Sequence, residues 1–271
     1  MHDSKPVALV TGASSGIGRA TAAALVEAGH TVIGTSRNSG RATPLAGVTF
    51  LDLDVTSDES VAALVAEVID RFGRIDVLVN NAGVGALAAA EESSISQARG
   101  VFDVNVFGVI RMTNAVLPHM RAQGSGRVVN VSSVLGVIPA PFMAVYAATK
   151  HAVEGFSESV DHEVRAHGVR VLLVQPGYTR SQFEDNAVAP DAPLPTYVAQ
   201  REVALDVLSR AMHDADDPSV VADVIVKAAT DTKAKLRYPA GSLASRVTVL
   251  RRLVPSAAFD RQIRKLNRLP A

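Results

Sequence analysis

Val7-Ala8-Leu9-Val10-Thr11-Gly12-Ala13-Ser14-Ser15-Gly16-Ile17-Gly18 is the stretch that decides the fold. Its first four residues are an uninterrupted apolar run, which fits a strand covered on both faces. Three glycines follow within the next eight residues, and then a helical pattern that ends near Gly29. Strand, glycine-rich turn and helix is the order in which backbone N–H groups at a helix N-terminus receive a phosphate. The spacing, Gly-x-x-x-Gly-x-Gly, is not the common Gly-x-Gly-x-x-Gly fingerprint and lacks the Gly-Lys-Ser/Thr end of a P-loop. Gly12, Ser14, Ser15, Gly16, Ile17 and Gly18 are the resulting candidates for contact with a dinucleotide. A tight turn that only needs positive φ is the plainer reading. Gly12-Ala13-Ser14-Ser15-Gly16 also matches the Gly-x-Ser-x-Gly nucleophile elbow of a serine hydrolase. That elbow needs an oxyanion hole from an earlier strand–helix loop, and only six residues precede the strand, which argues against Ser14 as a nucleophile.

Further strands read outward from this unit. Thr31–Thr35 leads to Ser36 and Arg37, where a dinucleotide would place its adenosine ribose. A carboxylate there binds the free 2′-OH of NAD, whereas a hydroxyl and a guanidinium suit the 2′-phosphate of NADP. NADP is therefore the favoured cofactor and NAD the alternative; a solvated surface arginine is the bland reading. Val48–Leu51 runs on to Asp54 and Val55, with Asp54 placed to accept from an adenine amino group or to serve as a helix N-terminal acid. Ser57 to Phe72 is an amphipathic helix stopped by Gly73, and Ile75–Val79 is a strand ending in Asn80-Asn81-Ala82-Gly83. Paired asparagines at a strand's carboxyl end can fasten neighbours and line the crevice where ligands collect. A long helix is expected over about 96–121, with Asn105 a polar residue among Val and Phe. Arg127–Val131 and Val169–Val174 complete the strands, the first ending in Ser132-Ser133 and the second in Gln175-Pro176-Gly177.

Six strand patterns alternating with helices argue for one doubly wound α/β domain with a parallel sheet, helices on both faces and a seventh strand near Leu236–Pro239. Residues of about 181–217 lose the pattern and read as an irregular substrate lid. About 241–271 is a basic helical tail with Arg246, Arg251, Arg252, Arg261, Arg264, Lys265 and Arg268, for which a solvated helix is favoured over a membrane-surface role. The 271 residues are 48% hydrophobic and 20% charged with zero formal net charge, so nothing draws the whole chain to nucleic acid or an anionic surface. Without cysteine there is no disulfide, thiolate metal site or Cys nucleophile, and no metal is expected. Neither a signal-peptide core nor an apolar run of about 18 residues stands out, so the expectation is a cytoplasmic protein with no transmembrane segment.

Tyr146 and Lys150 lie four apart in a helical stretch, hence on one face. An ammonium beside a phenol favours the phenolate and pulls its pKa down, making a proton-transfer pair where chance alone gives a surface pair. Taken with Thr11-Gly12-x-x-x-Gly16-x-Gly18, Asn80-Asn81-Ala82-Gly83, Asn105, Ser133 and Pro176-Gly177, this motif resembles the short-chain dehydrogenase/reductase family over roughly residues 6–181. The resemblance implies a Rossmann-type fold and hydride transfer between a nicotinamide and an alcohol or carbonyl. It implies Tyr146 as acid/base, Lys150 lowering its pKa and binding the nicotinamide ribose, and Ser133 bonding the substrate oxygen. Asn105 would hold a water linking Lys150 to solvent. Ser133 is chosen over Ser132 because thirteen residues separate it from Tyr146, the family's usual interval. It further implies cofactor contacts from Asn81, Ala82, Gly83, Pro176, Gly177 and Thr179, and a homodimer or homotetramer. Two departures stand out: Thr179 and Ser181 replace the usual aliphatic residue and Thr after Pro-Gly, and Ser15 stands where many NADP-preferring members carry a base. The substrate side is read as Val134, Leu135, Ile138, Phe142, Met143, Tyr178 and Phe183, which suits a hydrophobic alcohol or ketone. A non-catalytic dinucleotide-binding regulator is the rival on the same fold.

Overall fold

The computed structural model describes residues 5–181 and 187–269. In chain order these form β1 (Val7–Val10), α1 (Gly16–Glu27), β2 (Thr31–Ser36), β3 (Val48–Asp52), α2 (Asp58–Phe72) and β4 (Val77–Asn80). Then come α3 (Ile95–Phe102), α4 (Gly108–Gln123), β5 (Gly126–Val131), α5 (Ala144–Val164) and β6 (Val169–Pro176). The last part holds α6 (Val198–His213), α7 (Pro218–Thr230), β7 (Arg237–Ala240), α8 (Ser242–Leu253) and α9 (Ser256–Leu266). All seven strands run parallel in the order β3-β2-β1-β4-β5-β6-β7. The chain changes direction across the sheet between β1 and β4, and the crevice beyond their carboxyl ends is where open α/β sheets hold ligands. This is the doubly wound, Rossmann-type single domain that the apolar runs predict.

Alternation along each strand divides the core into two layers. Val7 and Leu9, with Ile33, Leu78, Val128 and Val171, pack against the inner faces of α2, α4 and α5. Ala8 and Val10, with Val32, Val79, Val129 and Val174, pack against α1 and α7. Both faces are covered, which is why these strands read as continuous apolar runs and not as alternating patterns. Burying a Leu or Ile side chain in either layer contributes about 1.5–3 kcal/mol. The helix ends follow local chemistry: the Ser57 hydroxyl accepts from Ser60 N–H at 3.1 Å, Asp58 and Glu59 sit in the first turn of α2, and Gly73 ends it in the left-handed region.

Three expectations change. The helix expected over 96–121 is interrupted, because Asp103–Phe107 form a π turn between α3 and α4. The whole stretch Ile95–Gln123 is, by length and composition, apolar enough to cross a membrane, contrary to the sequence reading. Yet Met112, Val116 and Met120 are fully buried under the sheet, the place of a core helix in this fold. Finally, the supposedly irregular 181–217 segment contains the four-turn helix α6. No residue of α6 is buried, so its apolar residues follow no single inward face and the sequence shows no helical stripe.

Candidate active site

The glycine turn is set by close approach. Gly12 and Gly16 have φ of 65° and 52°, in the left-handed region. A Cβ on Gly18 would stand 2.2 Å from Gly12 O and 2.4 Å from Asn81 Nδ2, so the first turn of α1 lies directly on the loop. Asn81 Nδ2 donates to Thr11 O (2.9 Å) and Gly12 O (3.1 Å), while Thr11 Oγ1 accepts from the N–H groups of Asn81 and Ala82 at 3.0 Å each. Asn80 fastens the next strand: its Nδ2 donates to Asn130 Oδ1 at 2.8 Å, and Asn130 Nδ2 donates to Ser157 Oγ at 2.8 Å. Ser15 is the N-cap of α1 but its side chain makes no capping bond, and the first turn carries no acid. That leaves an open N-terminus of the kind an anion needs, so the residues present fit a dinucleotide phosphate. Ser181 closes one side, since a Cβ on Gly16 would lie 3.0 Å from Ser181 Cβ.

Beyond the tip of β2 lies a cleft of about 310 Å³ lined by Ser14, Ser36, Arg37, Asn38, Arg41 and Ala42. Arg41 escapes the sequence reading; its signal is a second cation four residues after Arg37, brought back by a 3-10 turn over Ser39–Arg41. Asp52, the nearest acid in sequence, is occupied by Ser39 N–H at 2.6 Å. Asp54 Oδ1 accepts from Thr56 Oγ1 (2.7 Å) and N–H (2.9 Å), and Thr56 holds the carboxyl below its usual range. Val55 is buried with its side chain against Gly108, where a Cβ would lie 2.9 Å from Val55 Cγ2.

At the end of β5, Ser133 stands extended and its Oγ accepts from Leu135 N–H at 3.1 Å. The same hydroxyl hydrogen-bonds the hydroxyl of Tyr146 in the first turn of α5. Ser132 points elsewhere: its buried Oγ lies near Gly136, with no hydrogen-bond partner among the described residues. Lys150, one turn beyond Tyr146, donates from Nζ to Val131 O at 2.9 Å, and Nζ lies 5.6 Å from the Tyr146 ring centre. The expected downward pull on the phenol does not appear here. Burial pushes the Tyr146 pKa up, the Ser133 bond recovers only part, and the lysine's proton is directed to a carbonyl instead. Lys150 itself is lowered to about 8 by burial, opposed by the charge of Glu154.

Asn105 sits inside the π turn, which rotates it inward. Its Oδ1 accepts from Val84 N–H (2.8 Å), and its Nδ2 donates to Val84 O (2.9 Å) and Thr149 Oγ1 (3.2 Å). Both amide protons are occupied, so the side chain ties the chain after Gly83 to α5, and the water that the resemblance implies would be held here by donating to an oxygen of Asn105. Gly83 is part of that fit, since a Cβ there would lie 3.2 Å from Asn105 Oδ1.

At the end of β6, Pro176 closes the strand and Gly177 N–H donates to Ala240 O at 3.4 Å. Thr179 is buried, pairs with Asp216 and turns its hydroxyl back to Gly177 O at 3.4 Å. Of the expected substrate wall, Leu135 and Met143 pack with Tyr146, Ala86, Val101 and Val188 in one apolar cluster. Phe142, at a φ of 62°, sets its ring edge-on to Tyr197 at 6.2 Å. Phe183 lies outside the described residues.

Two buried carboxylates were also missed. Glu92 is fully buried, ion-paired with Arg201 of α6, and accepts from Leu194 N–H at 2.9 Å. It thereby holds the 191–201 segment against the chain that follows Gly83. Glu154, one turn beyond Lys150, accepts from Gln175 Nε2 and Arg237 Nε at 2.8 Å each. Removing its charge withdraws support from the ammonium. Glu154→Gln is expected to lower the Lys150 pKa further, moving the alkaline limb of a pH–rate profile toward acid by about one unit, or about 1.4 kcal/mol. An unmoved limb would separate Glu154 from the lysine. The sign for stability is the reverse of an ion pair. Since folding lowers Lys150 from 10.5 to about 8, its cost is full below about pH 8 and is relieved as pH rises toward 10.5. Among the described residues, no group of three or more His, Asp or Glu could hold a metal ion.

Comparison with known proteins agrees with this fold. Residues 6–192 match the family model described as short chain dehydrogenase. A 3-ketodihydrosphingosine reductase of Bacteroides thetaiotaomicron is 43% identical over 180 residues, 66% of each chain. Bovine retinol dehydrogenase 8 is 34% identical, with 96% of this chain and 89% of the relative covered. Among solved structures, a short-chain dehydrogenase from Streptomyces avermitilis superposes with a TM-score of 0.82 at 37% identity over 98% of both chains. One from Burkholderia cenocepacia, in complex with NADP, gives 0.77 at 25% identity over 96% of this chain and 98% of that one. One from Burkholderia phymatum, in complex with NAD, gives 0.79 at 28% identity over 97% and 96%.

Proposed function

We propose that this chain, which belongs to the short-chain dehydrogenase family, is an NADP-preferring enzyme that interconverts a hydrophobic secondary alcohol and its ketone through Tyr146. Its class, an NAD(P)-dependent dehydrogenase/reductase, follows from the family. The observation that carries the finer reading is the Tyr146–Ser133 hydroxyl pair with Lys150 one turn away, at strand ends beside the glycine turn.

A nicotinamide held in that crevice supplies or accepts the hydride. In the reductive direction the phenol of Tyr146 gives its proton to the substrate oxygen as negative charge develops there. The Ser133 hydroxyl donates a hydrogen bond to the same oxygen, a preorganised contact that gains strength with that charge. A phenol held above its ordinary range by burial is fully protonated at neutral pH, which suits it as the donor. Lys150 keeps positive charge beside the phenolate left behind, and Asn105 fixes the position of that helical turn through Thr149. Gly12, Ser14, Ser15, Gly16, Ile17 and Gly18 would hold the phosphates; Asp54 and Val55 would meet the adenine. Asn81, Ala82 and Gly83, with Pro176, Gly177 and Thr179, would flank the nicotinamide end.

The NADP preference rests on the cleft that gathers Ser36, Arg37 and Arg41 with no acid in its lining. Arg37→Asp is expected to raise the KM for NADPH about a hundredfold while leaving NADH within severalfold, equal to the loss of about 3 kcal/mol of charge-assisted bonding. Steady-state rates with both cofactors check it, and an unchanged NADPH/NADH ratio would contradict the phosphate role. The apolar wall around Tyr146 supports a hydrophobic substrate, as do relatives named for sphingoid-base and retinol chemistry. Exposed Phe107, at the end of the π turn that leads into α4, and the exposed positions Ala144, Ala148, His151 and Gly155 of α5 support a homodimer or homotetramer built on α4 and α5.

A further inference from the structure

The basic tail does not fold as an evenly solvated helix. On α8, Ala244 is buried, while Leu243, Val249, Leu250 and Leu253 are 40%, 55%, 51% and 76% exposed. At 100° per residue, these four and exposed Arg246 fall within about a third of the helix circumference, so they form one outward stripe. Nothing among the described residues covers it. The stripe begins at the site, because Leu243 lies 3.6 Å from where a Cβ on Gly177 would stand. α6 also exposes Val198 and Leu205, two turns apart and so on one face. Arg268, beyond α9, pairs with Asp206 and ties the tail to α6.

Charge identifies what such a face meets. Residues 242–269 hold seven Lys or Arg and one acid, Asp260, so this segment carries plus six in a chain of zero formal net charge. Arg246 lies within the apolar stripe, Arg251 of α8 stacks on Phe259 of α9, and Arg261 and Lys265 of α9 are exposed as well. Leucines flanked by long cationic side chains are the pattern of a helix that lies in an anionic lipid interface. A second copy of the chain is a poorer partner. An isologous contact through this stripe would set Arg246 and its neighbours against their own images.

We propose that the outward face of α8 seats this protein on an anionic bilayer surface, with the end of β6 at Gly177, against which Leu243 packs, next to the lipid. On the apolar-substrate reading above, the bilayer is where the substrate is dissolved. The surface itself does not depend on that reading, so either can fail alone.

The test is co-sedimentation of the full chain with vesicles of phosphatidylcholine, alone or with about one-third phosphatidylglycerol. Binding is expected only to the anionic vesicles, falling steeply between about 0.05 and 0.5 M salt as the charges are screened. Leu250→Glu with Leu253→Glu is expected to lower the partition coefficient at least about tenfold, since both apolar anchors are lost and two negative charges added. Neither residue touches the site, so turnover of a water-soluble ketone stays at the wild-type rate and shows that the variant is folded. Equal sedimentation with and without anionic lipid would overturn the proposal. So would a wild-type dimer that ignores vesicles and becomes monomeric in the double variant, which would assign the face to a second copy.

Discussion

Tyr146→Phe is expected to reduce turnover by about three orders of magnitude or more while leaving NADPH binding within about twofold, the signature of losing a proton donor without losing the site. The hydroxyl is the only group removed, and Ser133, which it contacts, keeps its bond from Leu135 N–H. The ring stays packed in the cluster with Leu135, Met143 and Val188. Loss of one buried hydrogen bond costs about 1 kcal/mol, and the variant therefore folds. Cofactor titration by fluorescence and initial rates at 340 nm separate the two effects. A variant with near-normal rates would remove Tyr146 from the chemistry, and one that no longer binds NADPH would make it a structural residue of the pocket.

The second large effect is at Gly18. Gly18→Ala places a methyl 2.2 Å from Gly12 O and 2.4 Å from Asn81 Nδ2. Neither neighbour can yield cheaply. Gly12 O already accepts from that same amide, and Asn81 also holds Thr11 O, so moving the group opens the joint between β1, β4 and α1. The expected result is a loss of at least about 2–3 kcal/mol of stability, in the range of overpacked or strained sites, together with loss of dinucleotide binding. Gly100→Ala is the control. It lies in α3 with nothing within 4 Å of the new methyl, and is expected to gain about 0.5–1 kcal/mol. Thermal melts with and without NADPH read both. Equal behaviour of the two variants would mean that the close approach at Gly18 sets neither the fold nor the cofactor site.

Legibility in the sequence followed burial. Strands such as Val7–Val10 and Val169–Val174 are visible because both sheet faces are covered and nothing polar interrupts them. The glycine turn and Tyr146-x-x-x-Lys150 are visible because steric and catalytic demands fix residue types at fixed spacing. The π turn at Asp103–Phe107 was not, since an extra residue in a helix changes phase without changing composition; exposed Phe107 beside buried Val106 is its only trace. α6 was hidden because it buries nothing, and Glu92 because a surface-looking acid gains its partner, Arg201, from 109 residues away. The pull of Lys150 on Tyr146 is illegible in the sequence for a related reason. Spacing places the ammonium on the right face, but in the fold Nζ is directed to Val131 O and burial outweighs it. Arg41 and Glu154 belong to the same class, as residues whose neighbours across the fold decide what they do.

Hydride transfer to a carbonyl, with Tyr146 as proton donor, is tested by incubating the chain with NADPH deuterated at C4 and a panel of hydrophobic ketones, then analysing the products by mass spectrometry. The expected result is an alcohol carrying one deuterium at the carbinol carbon, formed by the wild type and absent with Tyr146→Phe. Bound NADPH with no deuterium transferred to any ketone would contradict it and leave a dinucleotide-binding protein without turnover.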